Sequence, residues 1–426
     1  MPGRRSNPVP MPHLLIIAYY FPPWGMGGVQ RVAKFAKYLP EFGWDVTVIA
    51  PRAADYHNQD TSLLDEIPKS VRVERIDHVD GIMRKSLGPL SPLSPFLKWL
   101  GSWRDLPDRH KSFAPIAAHR ARELMRETPF DAVLTSSPPP SVHLAGMALR
   151  RDIPWIADFR DPWQALADDY GPTLFHRLKN SALHQRILKS ADAVVAVTPE
   201  LRKYFESDCG GSSVTVIRNG YDEADFAGVS SQIATRAELR VVIPGTFSRF
   251  SDPRPLLQGL AAYRRLPKAR KLKVTHVGAS MGIDPKRQIA KAGLADVLED
   301  RGYVDHRTAI QSMLEADLLM LSYTDSRVTD VSVPGRIYEM LRAQRPIIAA
   351  TPSPGALANL LAPLAGCELV DPKDWNGIAA AITKHASAIG IVQSRPLTQI
   401  TQFDRREETR QLSKLCLRAI SKRAGK

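Results

Sequence analysis

The stretch that decides the fold is LLIIAYYFPPWGMGGVQRVAKFAKYLPEFGWDVTVIAP, Leu14–Pro51. It begins with a continuous apolar run, Leu14–Ala18, which is typical of a buried strand. A loop with two prolines and three glycines follows, and Val29–Leu39 then has apolar residues at nearly helical spacing. Val46–Ile49 supplies a second apolar run after a short connection. This order predicts a strand, a glycine loop, a helix and a second strand parallel to the first.

The alternation of strands and helices continues through the first half of the chain and starts again in the second half. Apolar runs alternate with helix-like segments up to Val214–Ile217, which predicts a parallel sheet with helices on both faces. A polar patch, Val229–Glu238, follows, and the pattern restarts at Leu239–Ile243. We therefore expect two similar α/β domains, residues 1–228 and 229–401. The other runs interpreted as strands are Ala132–Leu134, Trp155–Ala157, Ala193–Val197, Val274–Val277, Leu318–Leu321 and Pro346–Ala349.

The composition indicates an anionic partner. Lys and Arg number 58 against 44 Asp and Glu, so the formal charge of the 426-residue chain is +14. An excess of this size favours phosphates, nucleic acid or an acidic membrane surface. No nucleic-acid module is recognisable, so we expect no nucleic-acid partner.

The cysteines and the apolar runs bear on location. Cys209, Cys367 and Cys416 are far apart, which predicts neither a disulfide framework nor a zinc site and favours the cytoplasm. No stretch approaches the roughly 18 apolar residues of a membrane span. Any membrane contact is therefore expected to be peripheral, on the inner face.

The glycine loop suits a phosphate, because backbone N–H groups in a strand-to-helix turn can approach an anion closely. A dinucleotide site is excluded, since the third glycine of G-x-G-x-x-G would fall at Gln30. The acidic residue expected after the second strand is also replaced by Ala50-Pro51-Arg52. No Lys-Ser or Lys-Thr pair closes the loop, which excludes a Walker A site. A tight turn without a ligand is the alternative.

A charged cluster follows the predicted strand Trp155–Ala157. Asp158, Arg160 and Asp161 stand where an open parallel sheet has its ligand crevice. Two carboxylates and a guanidinium can orient hydroxyl groups or stabilise charge there. The alternative is a structural ion pair that closes a turn.

The second half contains two further loops of this kind. Pro244–Arg249 ends a strand with small residues and one cation. Pro334 and Gly335 open a predicted helix whose first turn holds Arg336 and Glu339. A helix start with an arginine suits a diphosphate, and a carboxylate one turn later can accept both hydroxyls of a ribose. Glu339 as an ordinary capping acid is the alternative.

These motifs, in this order, resemble the retaining glycosyltransferases of family 4, which have the α/β GT-B fold of two Rossmann-like domains facing a central cleft. The resemblance covers nearly the whole chain. It is carried by Tyr20–Pro23 with Gly27–Val29, Asp158–Asp161, Arg218–Asp222, Gly245–Thr246, Pro334–Glu339 and Arg345–Ile348.

The resemblance implies a role for each motif. The second domain would hold a nucleotide-sugar, with Glu339 on the ribose. Arg249, Pro334, Gly335 and Arg336 would meet the diphosphate, with Gly27 and Gly28 facing it across the cleft. Asp158, Arg160, Asp161 and Arg249 would form the catalytic set. Residues 402–426 would be a helix that crosses back to the first domain. No cofactor or metal is expected, since the nucleotide-sugar is a substrate.

Three positions depart from the family pattern. Val331 stands where relatives often carry a first glutamate, and Ser251 stands where they often carry arginine, with no lysine after it. Arg249 or Arg254 would have to compensate for that cation. No histidine occurs near Asp158–Asp161, for which His143 is a weak substitute.

The implied reaction moves a sugar from a UDP- or GDP-sugar to a hydroxyl of a glycan or lipid-linked acceptor, with retention, in polysaccharide or cell-surface glycan biosynthesis. The chain has no Asp-x-Asp, which predicts transfer without a metal. The apolar and basic segment Met83–Trp103 suits an anionic membrane, as do five cations spaced four residues apart in the last helix, Arg406, Arg410, Lys414, Arg418 and Lys422. A sugar-nucleotide epimerase of the same fold and a noncatalytic partner subunit are the alternatives.

Overall fold

The computed structural model describes residues 11–25, 28–52, 59–78, 106–163, 173–206, 208, 213–228, 237–387 and 395–425. These residues form two separate parallel sheets. Helices cover both faces of each sheet, so most strand residues are buried. The expected α/β class is confirmed.

The first sheet has seven strands in the order β3-β2-β1-β4-β5-β6-β7. The strands are β1 (His13–Ala18), β2 (Asp45–Pro51), β3 (Arg72–Ile76), β4 (Ala132–Ser137), β5 (Trp155–Phe159), β6 (Ala193–Ala196) and β7 (Val214–Val216). The helices between them are α1 (Gln30–Tyr38), α2 (Ser62–Asp65), α3 (Phe113–Glu127), α4 (Val142–Leu149), α5 (Leu174–Ser190) and α6 (Pro199–Glu206). Ile16 pairs with Val48 and Leu134, so the first predicted strand lies at the centre of the sheet.

The second sheet has six strands in the order β10-β9-β8-β11-β12-β13. The strands are β8 (Glu238–Pro244), β9 (Lys271–Val277), β10 (Leu298–Asp300), β11 (Leu318–Ser322), β12 (Ile347–Ala350) and β13 (Cys367–Val370). The helices are α7 (Arg254–Arg264), α8 (Pro285–Lys291), α9 (His306–Glu315), α10 (Ser326–Thr329), α11 (Arg336–Arg342), α12 (Ala356–Leu361) and α13 (Trp375–Ser387).

In both sheets, the order in which the chain adds strands reverses at the same position. The reversal lies between β1 and β4 in the first sheet and between β8 and β11 in the second. In an open parallel sheet, a ligand crevice lies beyond the carboxyl ends of the strands at this reversal. The loops after β1, β5 and β8 are therefore the ones placed to form a site.

The last helix, α14 (Arg405–Ala424), packs on the first domain. Leu412 and Cys416 join its core, and Trp44 Nε1 donates a hydrogen bond to Ser413 Oγ at 2.8 Å. The opposite face is exposed and carries the five cations spaced four residues apart. Nowhere in the described part of the chain does a helix combine the length and the apolar character needed to cross a membrane.

The two domains touch across the cleft. The Tyr303 hydroxyl in the second domain donates to the Gly25 carbonyl in the glycine loop. A Cβ at Gly25 would lie 2.1 Å from that hydroxyl oxygen, so the contact needs glycine. The His306 backbone N–H donates to Asp60 Oδ2 at 3.3 Å. The glycine loop thus serves as a contact for the opposite domain.

His306 also joins a charged network at this interface. Its Nε2 lies 3.0 Å from Asp225 Oδ2 and 3.8 Å from Glu339 Oε1. Lys34 Nζ lies 2.8 Å from Asp225 on the other side. Burial opposes the charged imidazolium, but the carboxylates of Glu339 and Asp225 outweigh it and raise the pKa of His306 to about 9.

This pairing predicts that the protein loses stability as the pH rises from 6.5 to 9. The folded protein keeps the His306 proton in this range, whereas the unfolded chain, with the ordinary histidine pKa of 6.5, releases it. The contribution is complete below pH 6.5, and a shift of this size corresponds to at most about 3 kcal/mol. Urea unfolding at several pH values should show this slope in the parent and in His119→Gln, whose side chain is 77% exposed. The slope should be much smaller in His306→Gln, and an equal slope in that variant would contradict the assignment.

Candidate active site

A cavity of about 250 Å³ lies between the two domains, at the reversal of the second sheet. The second domain supplies most of its wall, and the first domain closes it with the glycine loop. Among the expected site residues, Gly335, Arg336 and Glu339 line it. The remaining lining residues are Gly25, Gln30, Asp60, Pro244, Gly245, Thr246, Val277, Gly278, Ala279, Tyr303, Val304, His306, Ala309, Met313 and Arg405.

Arg336 is one of the cations in the cavity wall, which also includes His306 and Arg405. Its guanidinium packs on Gly245, where a Cβ would lie 2.1 Å from Nη1, and φ at Gly245 is +102°. Nη2 donates to Ser251 Oγ at 2.9 Å. The serine found in place of the family arginine is therefore a hydrogen-bond acceptor for Arg336. Within the described residues, Nε has no hydrogen-bond partner and no carboxylate lies within 4 Å of the guanidinium. Burial lowers the pKa of Arg336 to about 10, against the opposing effects of Tyr323 and Glu339.

Glu339 lies one turn along α11 from Arg336, with its side chain in the cavity wall. Burial raises the pKa of this carboxyl, while the charge of His306 opposes the shift. In the described part of the protein, its nearest charged neighbour is His306, at 3.8 Å, and no donor is within hydrogen-bond distance of its oxygens. Both oxygens are therefore open to hydroxyl donors from a ligand.

Asp158 is directed into the first domain instead of toward the cavity. Its carboxylate makes two hydrogen bonds with Arg31, Nε to Oδ2 at 2.9 Å and Nη2 to Oδ1 at 2.8 Å. Ser136 Oγ donates to Oδ2 at 2.7 Å, and both charged side chains are 1% exposed. In this position Asp158 is a structural partner of α1, because its carboxylate is buried with both oxygens engaged, and its expected catalytic role stays a prediction.

Arg160 holds the glycine loop. Its guanidinium donates to the carbonyls of Gly28, Ser137 and Pro138. Arg160 and Gly28 are outside the cavity wall, and Gly27 is outside the described residues. The two motifs singled out in the first domain thus meet each other, and the arginine positions the loop that Tyr303 contacts.

Asp161 and Arg249 lie beside the cavity rather than in its wall. Asp161 is half-buried, and within the described residues its carboxylate has no hydrogen-bond or ion-pair partner. Burial raises its pKa, and the charge of Arg160 opposes the shift. Burial and then the charge of Asp161 raise the pKa of Tyr323, so this carboxylate faces the second domain. Arg249 is exposed and stacks over the Phe250 ring at 4.5 Å.

Val331, the position of the missing family glutamate, faces the first domain. Its side chain packs against the core of that domain, and its carbonyl accepts from Thr198 Oγ1 at 2.5 Å. His143 is fully buried, its Nδ1 lies 2.8 Å from Thr135 Oγ1, and burial lowers its pKa to about 3. Neither residue reaches the cavity wall.

Sequence reasoning missed several lining residues. Tyr303 and His306 follow the strand Leu298–Asp300, which is only three residues long and gives no periodic signal. Arg405 begins the last helix, whose exposed cations gave the sequence signal, but it is itself buried and pairs with Glu408 at 3.1 Å. The Asp305 cap, with a side chain that accepts from Thr308 N at 2.9 Å, was the one local sign of a helix start there.

One group of acidic residues in the described chain is close enough to share a cation: Glu66, Asp222 and Asp225. The Lys34 ammonium already lies among them, with Nζ 2.5, 2.7 and 2.8 Å from an oxygen of each, respectively. This lysine is buried, and two further cations pair with the group: Lys37 with Glu66 and Asp222, and His306 with Asp225. The group therefore has the character of an ion-pair network.

The comparisons with known proteins agree with this architecture. Residues 26–225 match the family model described as Glycosyltransferase Family 4. No curated protein sequence matches the chain significantly. Among solved structures, sucrose-phosphate synthase from Thermosynechococcus elongatus is 16% identical with a TM-score of 0.67, covering 96% of this chain and 99% of that chain.

Two further structures have the same fold. A glycosyltransferase from Rickettsia africae ESF-5 is 14% identical with a TM-score of 0.66 and covers 96% of this chain and 99% of its own. WaaG, a glycosyltransferase involved in lipopolysaccharide biosynthesis, is 12% identical with a TM-score of 0.55, at 94% and 95% coverage. The family match and the fold together confirm the resemblance to glycosyltransferase family 4, a family of enzymes, and the chain has its GT-B fold of two Rossmann-like domains facing a central cleft.

Proposed function

We propose that this protein is a retaining glycosyltransferase that moves a sugar from a nucleoside-diphosphate donor to a hydroxyl group of a glycan or lipid-linked acceptor. The observation that carries the proposal is the buried Arg336 guanidinium, which has no carboxylate partner among the described residues and lies in the same cavity as Glu339. A buried cation needs a counter-charge, and a diphosphate supplies one.

The donor is placed by the second domain. Arg336 binds the diphosphate, assisted by the backbone of Pro334 and Gly335. The role expected for Gly27 and Gly28 stays a prediction, because Gly28 is outside the cavity wall and Gly27 is outside the described residues. Glu339 accepts the two ribose hydroxyls, since both its oxygens are open. The proposed donor is a UDP- or GDP-sugar.

Charge on the leaving group is met by protein cations in this proposal. Arg336 and Arg249, on the loop after β8, stabilise the departing diphosphate; each fixed donor of this kind contributes a few kcal/mol. No metal is assigned, because the sequence has no Asp-x-Asp and Lys34 occupies the acidic group of the described residues. Asp161 is the carboxylate proposed to act near the transferred sugar, since it has no partner among the described residues and its charge acts on Tyr323 of the second domain.

The proposed acceptor is linked to a lipid, in polysaccharide or cell-surface glycan biosynthesis on the cytoplasmic face of a membrane. Two exposed surfaces support this: the cationic face of α14, and the start of α5, where Leu174 and Leu178 are 62% and 61% exposed beside Lys179. The segment Met83–Trp103, also expected at a membrane, is outside the described residues.

Donor binding is tested by thermal shift with UDP-, GDP-, ADP- and dTDP-sugars. One nucleotide class should raise the melting temperature, because a ligand at 100 times its Kd stabilises the folded state by about 2.7 kcal/mol. Arg336→Ala and Glu339→Ala should weaken binding roughly 10- to 100-fold by removing charge-assisted hydrogen bonds. Arg264→Ala and Glu299→Ala, which change exposed residues of the same domain, should bind like the parent. Undiminished binding by the two cavity variants would remove the donor assignment.

Transfer is tested by following the anomeric configuration of the product by NMR. With donor and acceptor we expect retention, unaffected by a chelator, and with donor alone slow hydrolysis to free nucleotide and sugar. Asp161→Asn should lower kcat roughly 100-fold or more with little change in donor Kd, while Asp296→Asn, an exposed residue, should not. Conversion of the donor to an epimer would favour the epimerase, and normal activity after replacing both Glu339 and Arg249 would favour a noncatalytic subunit.

Membrane binding is tested by co-sedimentation with phosphatidylglycerol-containing vesicles. The parent should bind these vesicles and not phosphatidylcholine ones, and the affinity should fall roughly 100-fold in Lys414→Gln/Arg418→Gln/Lys422→Gln, at about 1 kcal/mol per charge removed. A matched triple change on exposed lysines of the second domain, Lys271, Lys273 and Lys286, should have little effect. Equal vesicle binding by all variants would contradict the proposal that the cationic face of α14 binds the membrane.

A further inference from the structure

His276 is a buried histidine on β9 that no motif singled out. The ring is fully buried, and Phe247 stacks on it at 3.6 Å with an interplanar angle of 6°. Nδ1 lies 2.7 Å from Asp300 Oδ1, and Nε2 lies 2.8 Å from the Gly245 carbonyl oxygen. Both ring nitrogens therefore have close partners, and both partners are oxygens.

These partners fix where the protons lie. A carbonyl oxygen only accepts, so Nε2 must carry a proton toward Gly245. Asp300 Oδ1 also accepts from the Gly302 N–H at 3.2 Å. Nδ1 and Asp300 Oδ1 lie at hydrogen-bond distance, so one proton is shared between these two atoms. Asp300 is the charged group within 4 Å of the imidazole in the described chain.

The pair connects three loops of the cavity wall. His276 holds Gly245, in the loop after β8, on which the Arg336 guanidinium packs. Asp300 holds Gly302, directly before Tyr303 in the loop after β10. Gly302 in turn accepts from Gly278 N at 2.8 Å, in the loop after β9. Gly245, Gly278 and Tyr303 all line the cavity.

We propose that His276 and Asp300 are positioning residues of the donor cavity, with the His276 ring fixing the Gly245 loop under Arg336. The donor-binding part of this inference rests on the proposed function. The position of the Nε2 proton and the loop order do not, since both are properties of the free protein.

The first test is nitrogen-15 NMR of the free protein. His276 should show a protonated Nε2 at pH 7, both in the parent and in Asp300→Asn, because the Gly245 carbonyl can only accept. An unprotonated Nε2 in the parent would overturn the assigned contact with Gly245, whatever the protein binds.

The second test is amide hydrogen exchange with donor binding. His276→Phe keeps a ring against Phe247 but removes both N–H groups, so the amides of Gly245 and Tyr303 should exchange at least 10-fold faster and donor Kd should rise about 10-fold or more. Acceptor KM should stay unchanged. His385→Phe, a buried histidine of the same domain outside the cavity wall, is the matched control.

Conservative variants keep the test decisive if His276→Phe does not fold. His276→Gln should recover part of the donor affinity, because its carboxamide N–H can reach Gly245. Unchanged exchange and unchanged donor Kd in His276→Phe, or in His276→Leu if His276→Phe does not fold, would overturn the positioning role. If the parent binds none of the nucleotide-sugars, the proposed function fails, and the exchange and NMR results still decide the role of the pair.

Discussion

A buried guanidinium without a carboxylate partner among the described residues is the constraint around which the cavity is arranged. Arg336 reaches its position because Gly245 has no side chain, and Ser251 supplies one neutral acceptor. Other buried arginines of the described residues, such as Arg31 and Arg160, are satisfied by a carboxylate or by backbone carbonyls. Removing a cation from water is costly, so the surrounding loops retain Arg336 in a state that an anionic ligand stabilises.

The interior of both sheets could be predicted from the sequence, because central strands such as Ile347–Ala350 are buried on both faces and read as continuous apolar runs. The edge strands could not be predicted. Arg72–Ile76 and Leu298–Asp300 are short and partly exposed, so their composition does not differ from that of loops. Missing the second of these also hid the loop that carries Tyr303.

The site was predictable where a role is local and not where it depends on distant pairing. Arg336 and Glu339 share one helical turn, so their joint position follows from spacing alone. The sequence predicted Asp158 to be a cleft carboxylate. Its partner Arg31 lies 127 residues away in the chain, so the residues around Asp158 do not indicate the ion pair. The opening glycines were expected to face a phosphate; Gly25 instead admits the hydroxyl of Tyr303, a residue of the other domain.

The return of the last helix has a mechanical consequence. The chain leaves the first domain after Tyr221 and comes back at Asp404, and these two passages run side by side, joined by hydrogen bonds from Tyr221 N to Phe403 O and from Arg405 N to Tyr221 O. Two hydrogen-bonded chain passages of this kind form a hinge. They permit rotation of one domain against the other about the line between the passages, and they resist sliding or twisting. Opening of the cleft is thereby confined to a single degree of freedom, which returns the same loops to the same partners at every closure.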